Sequence, residues 1–233
     1  MMHLEVGGQG SAAHQPNLVA GNLDDVVGKS PIRDLFDHTS VPRRILPGAT
    51  ICLHGEPADT VYQITAGVVR CCLINTEGQR QIVRFAIAGQ FLGFAAIDSW
   101  HFTAEALSHV RLRSISRDTL ETALVEDREL QREVRRLVTD ELKHREQQLI
   151  MMAYMPACQR LLCFLEAFAG ATVTVGGYTV LPMTRQDIGD YLGLSLETVS
   201  RAFTKLKRDQ VIEMEGSDHY RFIDGASSGT LAA

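Results

Sequence analysis

The chain has 233 residues and a mass of 25.7 kDa, enough for one large domain or two modest ones with a real core. An apolar fraction of 45% and a charged fraction of 22% exclude a mostly disordered polypeptide. The net charge of −5 excludes a basic coat over the whole surface and leaves nucleic-acid binding to a local patch.

The longest uninterrupted apolar run, residues 149–155, has seven residues, whereas a membrane span needs about twenty. No basic segment followed by an apolar run opens the chain, so no secretory signal is expected and the cytoplasm is the expected compartment. The five cysteines, Cys52, Cys71, Cys72, Cys158 and Cys163, are odd in number and form no Cys-x-x-Cys pair. A disulfide framework is therefore not expected.

Residues 1–22 are rich in Gly, Ala, Gln and Asn without periodicity and read as a flexible arm. From 43 to 116 short β-branched runs recur: TICLH, VYQITA, VVRCCLI, QIVRFAI and VRLRSI. Turn signals separate them, at Pro47-Gly48, Gly55-Glu56-Pro57, Gly67, Glu77-Gly78 and Gly89. Such spacing predicts an antiparallel sandwich or barrel, assigned to residues 23–120. Residues 75–78 read as a hairpin tip.

Glycine then disappears up to Pro156, and Leu130, Val134, Leu137, Val138, Leu142 and Leu149 recur at helical spacing. Residues 121–155 are expected to be mostly one long helix. Its apolar stripe needs a cover, either the barrel of the same chain or the same helix of a second copy. Glu141 and Arg145 interrupt the stripe, so it is not a clean heptad seam. In the dimeric case Val134, Leu137, Val138 and Leu142 are the expected contacts. Pro156 opens a further helix ended by Gly170, and a polar, strand-like segment follows.

Residues 156–223 are expected to form a winged helix-turn-helix. Thr184 can cap a first helix, with Asp187 three residues on as a short version of the capping-box acid. Ile188, Tyr191 and Leu192 give its buried face, and Gly193 breaks it. Ser195 can cap a second helix with Val199, Phe203 and Leu206 inside. Alternation on either side of Gly216-Ser217 reads as a hairpin. Two short helices joined by a tight turn, then a hairpin, match that architecture. Residues 184–221 hold six Lys/Arg and seven Asp/Glu, but residues 195–208 hold four basic residues and one acid, a local charge of +3. Residues 224–233 read as a tail.

Taken together, PGATICLHGEPADTVYQITAGVVRCCL, GQFLGFAAIDSWHFTAEAL and MTRQDIGDYLGLSLETVSRAFTKLKRDQVI resemble the Crp/Fnr family of bacterial transcription regulators, over about residues 30–223. The segment LPMTRQDIGDYLGLSLETVSRA is most similar to the FixK-like branch. The resemblance implies an α+β chain: a jelly roll of the cyclic-nucleotide-binding type, a dimerisation helix and a C-terminal winged helix-turn-helix. It implies an activator of microaerobic, respiratory or nitrogen-fixation genes that binds double-stranded DNA as a homodimer and engages RNA polymerase. Glu197-x-x-Ser200-Arg201 matches the family's base-reading triplet, which implies a TTGAT…ATCAA-type palindrome.

The chemistry suits these roles. The Glu197 carboxylate can accept from a cytosine N4 amine, and the Arg201 guanidinium fits guanine O6 and N7. Ser200 can reach a thymine edge or a phosphate. Leu196, Thr198, Thr184, Ser195 and Lys205 complete the expected DNA-contacting set.

No cofactor is expected. An iron–sulfur cluster needs about four thiolates, yet residues 1–51 hold no cysteine, and adjacent Cys71 and Cys72 point to opposite faces of a strand. The family's cyclic-nucleotide pocket uses an arginine on the phosphate, and residues 89–101 contain none. Two other readings remain open from sequence. A sensor of haem or another small ligand would share the DNA-binding half. A cupin-type enzyme would need a His-x-His pair, and His54, His101 and His109 are isolated.

Overall fold

Ser30 and Pro31 start the first helix, α1 (Pro31–Thr39). The Ser30 hydroxyl accepts from the Arg33 N–H, and Pro31 occupies a first-turn position where no N–H is needed. The computed structural model describes residues 30–223 apart from 97, 170, 171 and 173, so the expected arm and tail lie outside the described residues.

The strands β1 (Arg43–Ile45), β2 (Thr50–Cys52), β3 (Thr60–Ala66), β4 (Val68–Ile74), β5 (Arg80–Ile87), β6 (Phe91–Leu92), β7 (Thr103–Ala106) and β8 (Val110–Ser116) follow. They form two antiparallel sheets, ordered β1-β8-β3-β6 and β2-β7-β4-β5, the sandwich expected from the β-branched runs and the jelly roll implied by the resemblance. Between the sheets Ile64, Val69, Cys71, Ala86, Leu92, Ala104 and Leu112 are buried. Trp100 joins them, its ring stacked on Tyr62 at 5.8 Å.

Two helices replace the single one expected after the barrel: α2 (Arg117–Glu126) and α3 (Arg128–Tyr154). Asp127 makes the break. Its N–H closes α2 on Ala123 O, while its carboxylate accepts from the Glu129 and Leu130 N–H groups and so starts α3. An acidic N-cap stabilises a helix by about 1 kcal/mol. The 27 residues of α3 span roughly 40 Å at the helical rise.

After Pro156 come α4 (Ala157–Ala169), β9 (Thr174–Val175), β10 (Tyr178–Val180), α5 (Arg185–Leu192), α6 (Leu196–Arg208), β11 (Ile212–Glu215) and β12 (His219–Phe222). The wing is larger than a hairpin: β9 and β10 pair with it in a sheet ordered β11-β12-β10-β9. Tyr220 pins this sheet to α4, its buried hydroxyl donating to Leu165 O.

The β4–β5 face that points away from the barrel interior packs on the C-terminal half. Val68, Cys72, Ile82, Phe85 and Ile87 share one core with Met151 of α3, Leu161, Phe164 and Phe168 of α4, Tyr191 of α5 and Phe203 of α6. Phe85 sits at the centre of this contact, with ring centroids 5.8 Å from Phe164, 5.9 Å from Phe168 and 5.3 Å from Tyr191. Cys71 and Cys72 face different cores, as their adjacency on a strand predicts. Among the described residues no helix is long and apolar enough to cross a membrane.

Candidate nucleic-acid interface

The helix-turn-helix is set by three caps. The Thr184 hydroxyl accepts from the Asp187 N–H at 3.0 Å and donates to the Asp187 carboxylate at 2.8 Å, and the same carboxylate accepts from the Thr184 N–H at 3.0 Å. This is a reciprocal capping box. Gly193 ends α5 at φ 65°, a left-handed conformation that favours glycine. The Ser195 hydroxyl then starts α6 by accepting from the Thr198 N–H at 3.2 Å.

Gly189 lets the turn between the two helices fold closely onto α5. A Cβ there would sit 2.6 Å from the Leu194 carbonyl oxygen, closer than side chains are found. Val199, Ala202, Phe203 and Leu206 of α6 are buried, so its opposite face is turned to solvent.

That exposed face carries the residues singled out from the sequence. Ser195, Leu196, Glu197, Ser200 and Arg201 are all exposed on the cap and first two turns of α6, and Lys205 is exposed a turn further on. Thr198 is half-buried, its hydroxyl 3.1 Å from that of Ser195. Thr184 stands apart from this group at the start of α5.

Charge on this face is arranged by position. The Glu197 carboxyl is held below the usual carboxylate range by its own backbone N–H, by the Ser195 hydroxyl and by the Arg201 charge. It is therefore an ionised acceptor at neutral pH. Lys205 pairs with Asp209, and Arg208 also reaches Asp209 at 3.1 Å. Counting Asp209 with residues 195–208 brings the local charge from +3 to +2.

Sequence reasoning missed Arg185. Its guanidinium lies 3.1 Å from the centre of the Phe203 ring, and Nη2 donates to Ser217 O at 2.8 Å. It therefore ties the wing turn to α6. Burial lowers its pKa to about 10, with Asp218 acting against the shift, so it stays charged at neutral pH. Its only sequence signal was its place directly after the Thr184 cap.

The four residues assigned to dimer contacts fall into two pairs. Val134 and Leu137 are half-buried against a cluster containing Ile32, Phe36, Ile115 and Leu120 of their own chain. Val138 and Leu142 are 38% and 59% exposed and continue into exposed Leu149 and Ile150. Glu133 lies beside the first pair and joins this part of α3 to α1. It is buried and accepts from the Ser30 hydroxyl at 2.7 Å and the Ile32 N–H at 2.9 Å, so α3 caps α1. Among the described residues no group of three or more His, Cys, Asp or Glu is placed to hold a metal ion.

A jelly roll whose outer face shares a core with a winged helix-turn-helix, with a carboxylate and an arginine displayed on the second helix, defines a DNA-binding transcription regulator of the Crp type. The family described as "Bacterial regulatory proteins, crp family" matches residues 181–212, and "Cyclic nucleotide-binding domain" matches residues 42–127. The chain is 31% identical over 201 residues to the transcriptional activatory protein AadR of Rhodopseudomonas palustris, covering 85% of this chain and 84% of that one. It is 35% identical over 172 residues to the nitrogen fixation regulation protein FixK of Rhizobium meliloti, covering 72% and 76%. Its fold is similar to that of FixK2 from Bradyrhizobium japonicum, with a TM-score of 0.75 and 32% identity, covering 79% of this chain and 92% of that one. The chain belongs to the Crp/Fnr family, in its FixK-like branch.

Proposed function

We propose that the protein is a homodimeric activator that binds a TTGAT…ATCAA-type palindrome with neither cyclic nucleotide nor an iron–sulfur cluster. It acts in the cytoplasm with RNA polymerase on microaerobic, respiratory or nitrogen-fixation genes. The observation that carries the reading is the exposed Leu196-Glu197-x-x-Ser200-Arg201 surface on α6, with Glu197 ionised. Arg201 takes a guanine edge, Glu197 a cytosine amine, and Leu196 lies where an apolar side chain can meet a thymine methyl. Thr184, Ser195, Ser200, Thr198 and Lys205 serve the phosphates and flanking edges.

Two placements support effector independence. Trp100 is buried against Tyr62 and Phe102, and its ring comes within 3.0 Å of where a Cβ on Gly93 would lie. An indole thus takes up space beside Gly93, directly after β6. The cysteines are also dispersed: Cys52 and Cys71 lie between the two sheets, whereas Cys72 and Cys163 belong to the core shared with the C-terminal half, and a cluster needs about four thiolates together.

The homodimer reading rests on α3. Val138, Leu142, Leu149 and Ile150 are apolar and exposed along one helix, and a second copy of that helix covers them. Footprinting and in-vitro transcription with purified, ligand-free protein test the whole reading. Protection of a palindrome and activated transcription are expected without additive. Protection that appears only with cyclic AMP, or only after anaerobic iron–sulfur reconstitution, overturns it.

A further inference from the structure

The carboxylate that caps the helix-turn-helix also anchors it to the other half of the chain. Asp187 is only 3% exposed at its side chain, and one oxygen accepts from both Arg70 of β4 at 2.9 Å and Arg80 of β5 at 2.6 Å. Arg80 also reaches Asp190 at 2.8 Å, and the Gln81 amide donates to Asp190 O. Arg70 is held in turn by Glu105 of β7 at 2.8 Å. Two arginines of the jelly roll thus grip the first helix of the reading head. They do so beside the Phe85, Phe164 and Tyr191 rings, where the two halves share apolar core.

Apolar contact alone is non-directional. Two guanidinium N–H donors converging on one oxygen of a buried carboxylate, with Arg80 also bridging to Asp190, are charge-assisted and directional. The grip lands at the start of α5, and α5 passes its orientation to α6 through the Gly189–Leu194 approach. A small rotation at Asp187 therefore becomes a displacement of Glu197 and Arg201 at the surface.

We propose that Arg70 and Arg80 are positioning residues for DNA recognition, acting through Asp187 and Asp190 to fix the angle at which the jelly roll presents the recognition helix. The proposal rests on the reading above that two copies engage a two-fold site. In a dimer each jelly roll is set by the α3 pairing, so the grip fixes the separation of the two recognition helices. It does not alter which bases each helix reads.

The test uses the full-length Arg70→Ala/Arg80→Ala variant, with Asp187 left intact so that the α5 cap survives. Binding is measured on duplexes carrying two half-sites at the preferred spacer and at spacers one base pair shorter and longer. A single half-site and its single-base mismatches complete the set. The variant is expected to keep the ranking of half-site bases but to bind the preferred spacer about three- to thirtyfold more weakly, and to lose most of the discrimination between spacers. Arg80→Asp alone should behave alike, and Arg80→Asp with Asp190→Arg should regain spacer discrimination.

Equal weakening on every duplex, with a shallower salt dependence, overturns the proposal and makes the arginines plain phosphate contacts. Unchanged affinity and spacing in the double variant overturn it as well. Wild-type protein that binds one half-site as tightly as two overturns the homodimer reading itself, and with it the spacing role. Calorimetry separates that case: if the wild type unfolds in one transition and the variant in two, the grip between the halves stands without the dimer.

Discussion

Glu141 of α3 receives Arg84 of β5 at 3.1 Å, and Arg145 joins it from one helical turn away at 2.6 Å. Arg145 also donates to Val83 O. Both residues that interrupt the apolar stripe in the sequence are therefore turned onto the jelly roll of their own chain. They leave the solvent side of α3 to Val138, Leu142, Leu149 and Ile150.

Leu142→Glu should accordingly disrupt assembly without unfolding the chain. Leu142 is 59% exposed in the single chain, so the substitution removes little of its own core. Against a second copy it would bury an unpaired carboxylate, costing about 3 kcal/mol or more. Sedimentation should show a shift to monomer, and affinity for the two-half-site duplex should fall with it. Monomeric protein with full affinity would contradict the assembly proposed here.

Gly189→Ala sets two known effects against each other. Alanine is worth about 1 kcal/mol more than glycine in a helix interior. The added methyl, however, would meet the Leu194 carbonyl oxygen at 2.6 Å, and that oxygen is backbone that cannot rotate away. Overpacking of this kind costs about 1–3 kcal/mol. The variant should have a lower denaturation midpoint and a disproportionate loss of specific DNA binding. An unchanged or raised midpoint would show that the turn carrying Leu194 has room to shift away from α5.

Local signals explain what was legible from sequence. The β-branched runs of β2, β3, β4, β5 and β8 stand between Gly and Pro turn signals, and the Thr184, Gly193 and Ser195 caps lie within a dozen residues of one another. Short strands such as β6 and β9, of two residues each, carry no periodicity to detect. The break at Asp127 was hidden because no glycine or proline marks it, although an aspartate cap was present. Ser30 and Pro31 likewise announce α1 but stand alone before a short helix. The grip of Arg70 and Arg80 on Asp187 spans more than a hundred residues, and nothing local to either arginine announces it.

Acid should loosen the reading head before the chain melts as a whole. Burial would raise the Asp187 carboxyl, but the Thr184 backbone and hydroxyl, with Arg80 and Arg70, outweigh it and hold the group below its usual range. Burial acts the same way on Glu141 and is outweighed by the Arg84 and Arg145 charges. A lowered folded-state pKa means stability that is fully present above the unfolded value, about 4 for these carboxyls, and lost as pH falls through the folded value. Stability should thus be flat near neutrality and fall below about pH 5. Asp187→Asn should flatten part of that acid limb, at the cost of lower stability at pH 7. If the acid limb of Asp187→Asn superimposes on that of the wild type, the carboxylate is not carrying the linkage.

The exposed face of α6 should divide into residues that choose bases and residues that only attract DNA. Glu197 and Arg201 are four residues apart on the N-terminal turns, the end that enters the major groove in helix-turn-helix proteins. Arg201→Ala should cost about 1–3 kcal/mol at its guanine and flatten the preference for that base. Lys205 sits a turn further on and already pairs with Asp209. Lys205→Ala should weaken all sequences alike and lower the salt slope by about one unit. Asp209→Asn should do the reverse, because it frees Lys205 and Arg208 from their carboxylate: non-specific affinity rises and base preference stays. Titrating the three variants against matched and single-mismatch duplexes at several salt concentrations separates these effects. Retained base preference in Arg201→Ala, together with its loss in Lys205→Ala, would place the reading face at least a residue away from where it is assigned here.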